Sequence, residues 1–238
     1  MKVVAKYDSY NDDDQYVSLS IDADIENTKE ETAEFARTNI LIVDEDDNCI
    51  GGSNYPSDDD IFAEKNETFT LTPYETLYTN RVTDIDKCKV IVDTTTFKRN
   101  FHKLGEHDVP KENNGCSKVG KRQDLGNVRV YGLTIVKGPV PDEKGADTEL
   151  TAVVALKNIS DENIQHIKCK VSLIDSKDSL VTDNENTAGL PGNASINLES
   201  SIYAKDGKLK GSTVKVSLSI FEELVHYNAE APLTKNKD

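Results

Sequence analysis

Between Val17 and Asn27 apolar and polar residues alternate one for one, Val-Ser-Leu-Ser-Ile-Asp-Ala-Asp-Ile-Glu-Asn. A period of two is the mark of a strand with one face buried and the other wet. Leu150–Asn158 reads in the same way, and both segments end on Asn and run into a polar, acidic turn. Asn39–Asp44 then finds its counterpart in Lys170–Asp175, and both correspondences share an offset of 131 residues. Asn66–Leu71 matches Asn193–Leu198 at an offset of 127, and Val90–Phe97 matches Val214–Phe221 at 124, an offset that His102 and His226 share. Four matched segments in unchanged order mark an internal duplication, and the offset shrinks only across loops, where length changes are tolerated.

The pattern predicts at least five strands in each copy: about 2–8, 16–27, 35–44, 60–72 and 87–100 in the first, and about 127–137, 147–158, 165–175, 193–204 and 212–228 in the second. A further short strand is expected near Glu75–Val82. Short strands at this spacing, with turn signals between them, indicate an all-β fold of two tandem immunoglobulin-like β-sandwich domains. The expected domains are residues 1–104 and 125–238. Leu104–Asp124 lacks apolar periodicity, carries Pro110, Gly115 and Gly120, and reads as a linker. Helix formers in Thr28–Arg37 and in residues 222–227 suggest a helical turn at most. Gly51-Gly52 reads as a hairpin turn.

With 238 residues and 36% hydrophobic residues, two small cores suit the chain better than one thick core. Its formal charge of −15 disfavours nucleic acid, which needs a basic stripe, and an anionic membrane surface. No apolar run approaches the ~20 residues of a membrane span. Residues 1–14 lack the apolar core of a signal peptide. A native start at Met1 implies a cytoplasmic protein; removal of a leader would place the chain in a cell envelope or outside the cell. Cys49, Cys88, Cys116 and Cys169 are spaced for neither a zinc site nor a disulfide scaffold. Cys88 and Cys169 sit within apolar strand patterns, where a free thiol packs as a small hydrophobe.

The second copy resembles the FxLyD-type modules of bacterial proteins. The resemblance rests on Ala155-Leu-Lys-Asn-Ile-Ser160, Val171-Ser-Leu-Ile-Asp175 and Leu190-Pro-Gly-Asn193. In the first copy Glu26-Asn-Thr28 and Ile42-Val-Asp44 fit, whereas Glu64-Lys-Asn66 stands where Pro-Gly is expected. The resemblance implies a β-sandwich, often of the cell envelope, and implies no activity.

Candidate chemistry is sparse. Asp12–Asp14, Asp44–Asp47 and Asp58–Asp60 supply the oxygens that Ca²⁺ prefers, yet none fits an EF-hand loop, so they read first as solvated turns. If a cation binds, Asp44, Asp46, Asp47, Asp58 and Asp60 are the candidate ligands, on loops that converge at one end of the sandwich. His102, His107, His166 and His226 form no ligand or catalytic spacing, and no nucleophile or phosphate-loop motif occurs. Asn66, Asn158 and Asn193 begin N-x-[ST] sequons, but two of the three stand at repeat-equivalent turns, and a turn role is the first reading. Tyrosines concentrate in the first copy, and Tyr55, Tyr74 and Tyr78 lie in turn segments beside acidic residues. Tyrosine is enriched at binding hot spots. The sequence therefore points to a non-enzyme without a required cofactor: a protein-interaction or structural module with a basic partner or a second copy of itself. The alternative is a ligand-binding protein for Ca²⁺ or carbohydrate that uses the acidic loops.

Overall fold

The computed structural model describes residues 1–8, 16–53, 57–78, 84–112, 115–119, 121–139 and 146–236. The chain forms two compact units, one of residues 1–99 with 223–238 and one of residues 100–222. Both are built almost wholly of strands.

The first unit contains β1 (Lys2–Tyr7), β2 (Tyr16–Glu26), β3 (Ala33–Val43), β4 (Cys49–Gly52), β5 (Ser57–Ala63), β6 (Thr68–Leu71), β7 (Tyr74–Tyr78) and the first half of β8 (Lys89–Asp108). In one layer β2 takes β1 on one side, and β6 and then β7 on the other, all antiparallel. In the other layer β3 lies between β8 on one edge and β4 with β5 on the other. Pro73, which has no backbone N–H, falls between β6 and β7, so the two share one flank of β2 as separate strands. The alternation along β2 sends Leu19, Ile21 and Ile25 into the core against Ile40, Ile42, Val90 and Val92. Each such side chain contributes roughly 1.5–3 kcal/mol by leaving water.

The second unit contains β9 (Cys116–Val119), β10 (Gln123–Leu125), β11 (Val128–Lys137), β12 (Thr148–Asn158), β13 (Ile164–Ile174), β14 (Leu180–Leu190), β15 (Ser195–Ala204), the single turn α1 (Asp206–Leu209) and the first half of β16 (Thr213–Lys235). β12 pairs with β11 and β15, and β13 pairs with β14 and β16. Val154, Leu156, Cys169, Val171 and Leu218 are among the residues of the shared core.

The duplication extends to individual hydrogen bonds. The Asn27 side chain donates to the carbonyls of Glu31 and Ala63 and accepts from the Lys29 amide. Asn158 donates to Glu162 and Leu190 and accepts from the Ser160 amide. Asp44 receives the amides of Asp46 and Asn48, and Asp175 those of Lys177 and Ser179. Asp47 and Asp178, at φ of 61° and 60°, close the two hairpins in the left-handed region that Asn and Asp tolerate best. Asn66 and Asn193, at 64° and 58°, do so at the next turn. Phe35 stacks near Phe97, and at the matching place His166 stacks edge-on against Phe221, with ring centres 5.7 and 4.8 Å apart.

The structure departs from the sequence expectations in several places. The expected linker holds the end of β8, β9 and β10, and β9 and β10 both pair with β11. The expected second domain ran to the C terminus, but residues 223–238 belong to the first unit. There β16 runs parallel to β1, with Ala5 opposite Leu233, and buries Ala231 and Leu233. Residues 33–37 and 222–227 are strand rather than helical turn, because their neighbours supply ladder partners. Gly51 and Gly52 form β4 rather than a hairpin turn. At Gly52, with φ of 137°, a Cβ would come within 2.2 Å of the Ile40 carbonyl oxygen, so the position requires glycine.

Candidate functional site

Three tyrosines share the outer face of the β1–β2–β7 layer at one end of β2. In the register of β2 with β7, Tyr16 stands opposite Tyr78 and Ser20 opposite Tyr74. Period-two geometry places Tyr16, Ser18 and Ser20 on one face with Tyr74, Thr76 and Tyr78. The rings of Tyr16 and Tyr78 meet edge to face, 6.5 Å between centres. The Tyr74 hydroxyl donates to Ser18 Oγ at 2.5 Å. Tyr16, Tyr74 and Tyr78 remain 54%, 66% and 50% exposed. Among the described residues β7 pairs with β2 alone, so its far side is a sheet edge. Farther along β2 the same face carries Asp22 and Asp24; Asp24 lies opposite Lys2 and accepts from Thr70.

Of the three tyrosines expected from sequence, Tyr74 and Tyr78 stand on one face at the two ends of strand β7, and Tyr55 lies outside the described residues. Tyr16 is the member that sequence reasoning missed. Its signal was phase: it stands one position before Val17, on the wet side of the β2 alternation.

The acidic candidates do not converge. Asp44 spends its carboxylate on its own hairpin, and the Asn48 side chain, then the Asn48 and Asp46 amides, hold it below the usual carboxylate range. Asp46 is exposed on that hairpin, and Asp47 lies 3.8 Å from the Lys89 ammonium. Asp58 and Asp60 stand on strand β5, not on a loop. Asp58 takes a two-pronged grip from Arg37, at 2.8 and 3.2 Å, and Asp60 pairs with Arg99 at 3.1 Å. Among the described residues no three His, Cys, Asp or Glu side chains are grouped to hold a metal. Asp12–Asp14 lie outside the described residues.

One histidine cluster has catalytic residue types. His226 on β16 lies 3.0 Å from Asp93 through Nε2 and 3.2 Å from Thr95 Oγ1 through Nδ1. Asp93 and Thr95 alternate on one face of β8, whose backbone is committed to the ladder with β3. The contact has the form of a cross-strand polar cluster, which a sheet face accommodates readily. His166 is a core residue, the counterpart of Phe35.

In the second unit Asp124 holds Arg129 by two hydrogen bonds of 2.6 and 2.8 Å, which lower the acid and raise the base. Arg122 lies over the Tyr131 ring at 5.5 Å. All four cysteines are free thiols; Cys49 and Cys116 are exposed, Cys169 is buried within β13 as its strand pattern predicts, and Cys88 is buried just before β8 begins rather than within a strand. Burial pushes the Cys169 thiol up to about 12. No helix among the described residues is long and apolar enough to cross a membrane.

No family model and no curated protein matches the chain. Among solved structures, a protein from Archaeoglobus fulgidus is similar over 41% of this chain and 80% of its own, at 14% identity and a TM-score of 0.26. Bacteroides uniformis beta-glucuronidase 2 is similar over 90% of this chain and 26% of its own, at 10% identity and a TM-score of 0.28. Red sea bream transglutaminase is similar over 99% of this chain and 31% of its own, at 9% identity and a TM-score of 0.24. The chain thus spans less than a third of either enzyme, and these likenesses carry no argument about activity.

Proposed function

We propose that the protein is a non-catalytic interaction module that binds an extended basic segment of a partner protein along β7. The observation that carries this reading is that Tyr74 and Tyr78 on the edge strand β7, and Tyr16 beside them on β2, are at least half exposed on one face. An edge strand offers unpaired backbone groups to an added strand, and side-chain contacts alternate along it. Tyrosine supplies contact area at small entropic cost. The chain's formal charge of −15 favours a basic partner and speeds its approach. The cation alternative has less support, since Asp44, Asp58 and Asp60 are already satisfied by Asn48, Arg37 and Arg99.

A blocked peptide of four Lys-Val repeats is a suitable probe, with its Glu-Val counterpart as control, followed by amide chemical shifts. The basic peptide is expected to shift β2 and β7 resonances, and Tyr74→Ala with Tyr78→Ala to weaken binding about tenfold or more, since hot-spot truncations cost ~2 kcal/mol. Shifts spread over the acidic surface and insensitive to both substitutions would remove the reading. A concentration-dependent dimer abolished by the same pair would make a second copy of the chain the partner.

A further inference from the structure

The second unit carries an open cavity of about 560 Å³ that the tyrosine edge does not explain. Its floor includes the buried Pro110, Lys137 and Leu209, and its rim the exposed Lys111, Asp206 and Lys210. The volume lies within the roughly 300–1,000 Å³ of small-molecule sites.

Lys137 sets this cavity apart. Its side chain is 8% exposed, and its ammonium pairs with Asp206 at 3.2 Å, whose own side chain is 58% exposed. An ammonium carries three donors, and withdrawing it from water costs several kcal/mol unless it is well paired. The chain's other copy shows that structure alone does not require a cation here. Leu19 and Leu150 correspond at the 131-residue offset; Tyr7 stands opposite the first and Lys137 opposite the second. Tyr7 donates its hydroxyl at 2.6 Å to Asp86, on the short helical turn Ile85–Lys87 before β8. Lys137 reaches Asp206 on α1, the turn before β16. The first unit thus fills with a neutral ring the place where the second sets an ammonium beside an open cavity.

We infer that this cavity binds a small organic carboxylate with a compact apolar body. The carboxylate would pair with Lys137, displacing Asp206 toward solvent, and the body would rest on Val109, Pro110 and Leu209. The lining carries three lysines, 111, 137 and 210, against Asp108 and Asp206, an excess of one positive charge in a strongly acidic chain. That balance suits a monoanion. A phosphate dianion would want more donors than one buried ammonium supplies, and would meet both carboxylates.

Benzoate, benzyl alcohol and inorganic phosphate separate the contributions of charge and body, with binding followed by amide chemical shifts in the full chain. Benzoate is expected to shift the amides of Lys137 and of residues 209–213, while the alcohol and phosphate leave them in place. Lys137→Met, which keeps the apolar stem, should weaken benzoate about tenfold or more, and Lys137→Arg should retain it. Asp206→Asn, with its fold checked by the dispersion of its amide spectrum, should tighten benzoate by removing the competing carboxylate. Equal responses to benzoate and benzyl alcohol, a response to phosphate alone, or weaker benzoate binding in Asp206→Asn would overturn the assignment.

Discussion

At the scale of single residues, Asn27 and Asn158 do the same work in both copies. Each is buried at the end of a central strand and ties one carbonyl and one amide of the following turn to the carbonyl that ends β5 or β14, Ala63 or Leu190. Asn158→Ala leaves the Glu162 and Leu190 carbonyls without that donor, at an expected cost of about 1–3 kcal/mol for a buried polar group left unpaired. Asn27→Ala should cost a similar amount, and urea denaturation of both variants checks the parity. A loss in only one copy would mean that the shared residue type does not imply a shared role. The sequence made these positions visible because a buried polar residue at the close of an apolar alternation breaks the pattern twice at one offset. The roles of Lys137 and Tyr7 were not legible there. Nothing local distinguishes a lysine that closes an alternating strand from one that reaches into solvent, and only the fold brings Asp206 to it.

At the scale of elements, strands with one buried face were readable, and strands without one were not. β2, β3, β12 and β13 alternate cleanly and lie within two residues of the expected bounds. β14 was missed because Leu180–Leu190 is polar and mostly exposed. Its Asn184 and Asn186 side chains donate to the Ser201 and Glu199 carbonyls of β15. The tail of β16 was misplaced for a different reason: Ala231 and Leu233 mark a buried face but do not say which core receives them. The structure gives them to the first unit beside β1. Leu233→Ala should therefore destabilise by ~2–5 kcal/mol, the usual range for a buried leucine. Hydrogen exchange should place the loss in β1 and β2, leaving β11 and β12 protected. Loss of protection in β11 and β12 instead would assign the tail to the other unit.

For the whole molecule, the duplicated sandwich accounts for most of the strong sequence signals, and the two proposed sites are places where the copies differ. The first copy gathers tyrosines on an edge; the second keeps an ammonium beside a cavity. The tyrosines stand on the wet phase of the alternation, and Lys137 is a polar residue at the end of its buried phase, which explains why sequence pattern led to the fold more readily than to either site. The central claim is that one sandwich is built twice with matched registers. Backbone NMR tests it most directly, through secondary shifts and cross-strand Hα and amide contacts. The account predicts extended shifts over residues 16–26 and 148–158, with Leu19 opposite Tyr7 and Leu150 opposite Lys137. Helical shifts over residues 33–43 or 164–174, or a register displaced by one residue in either copy, would contradict it.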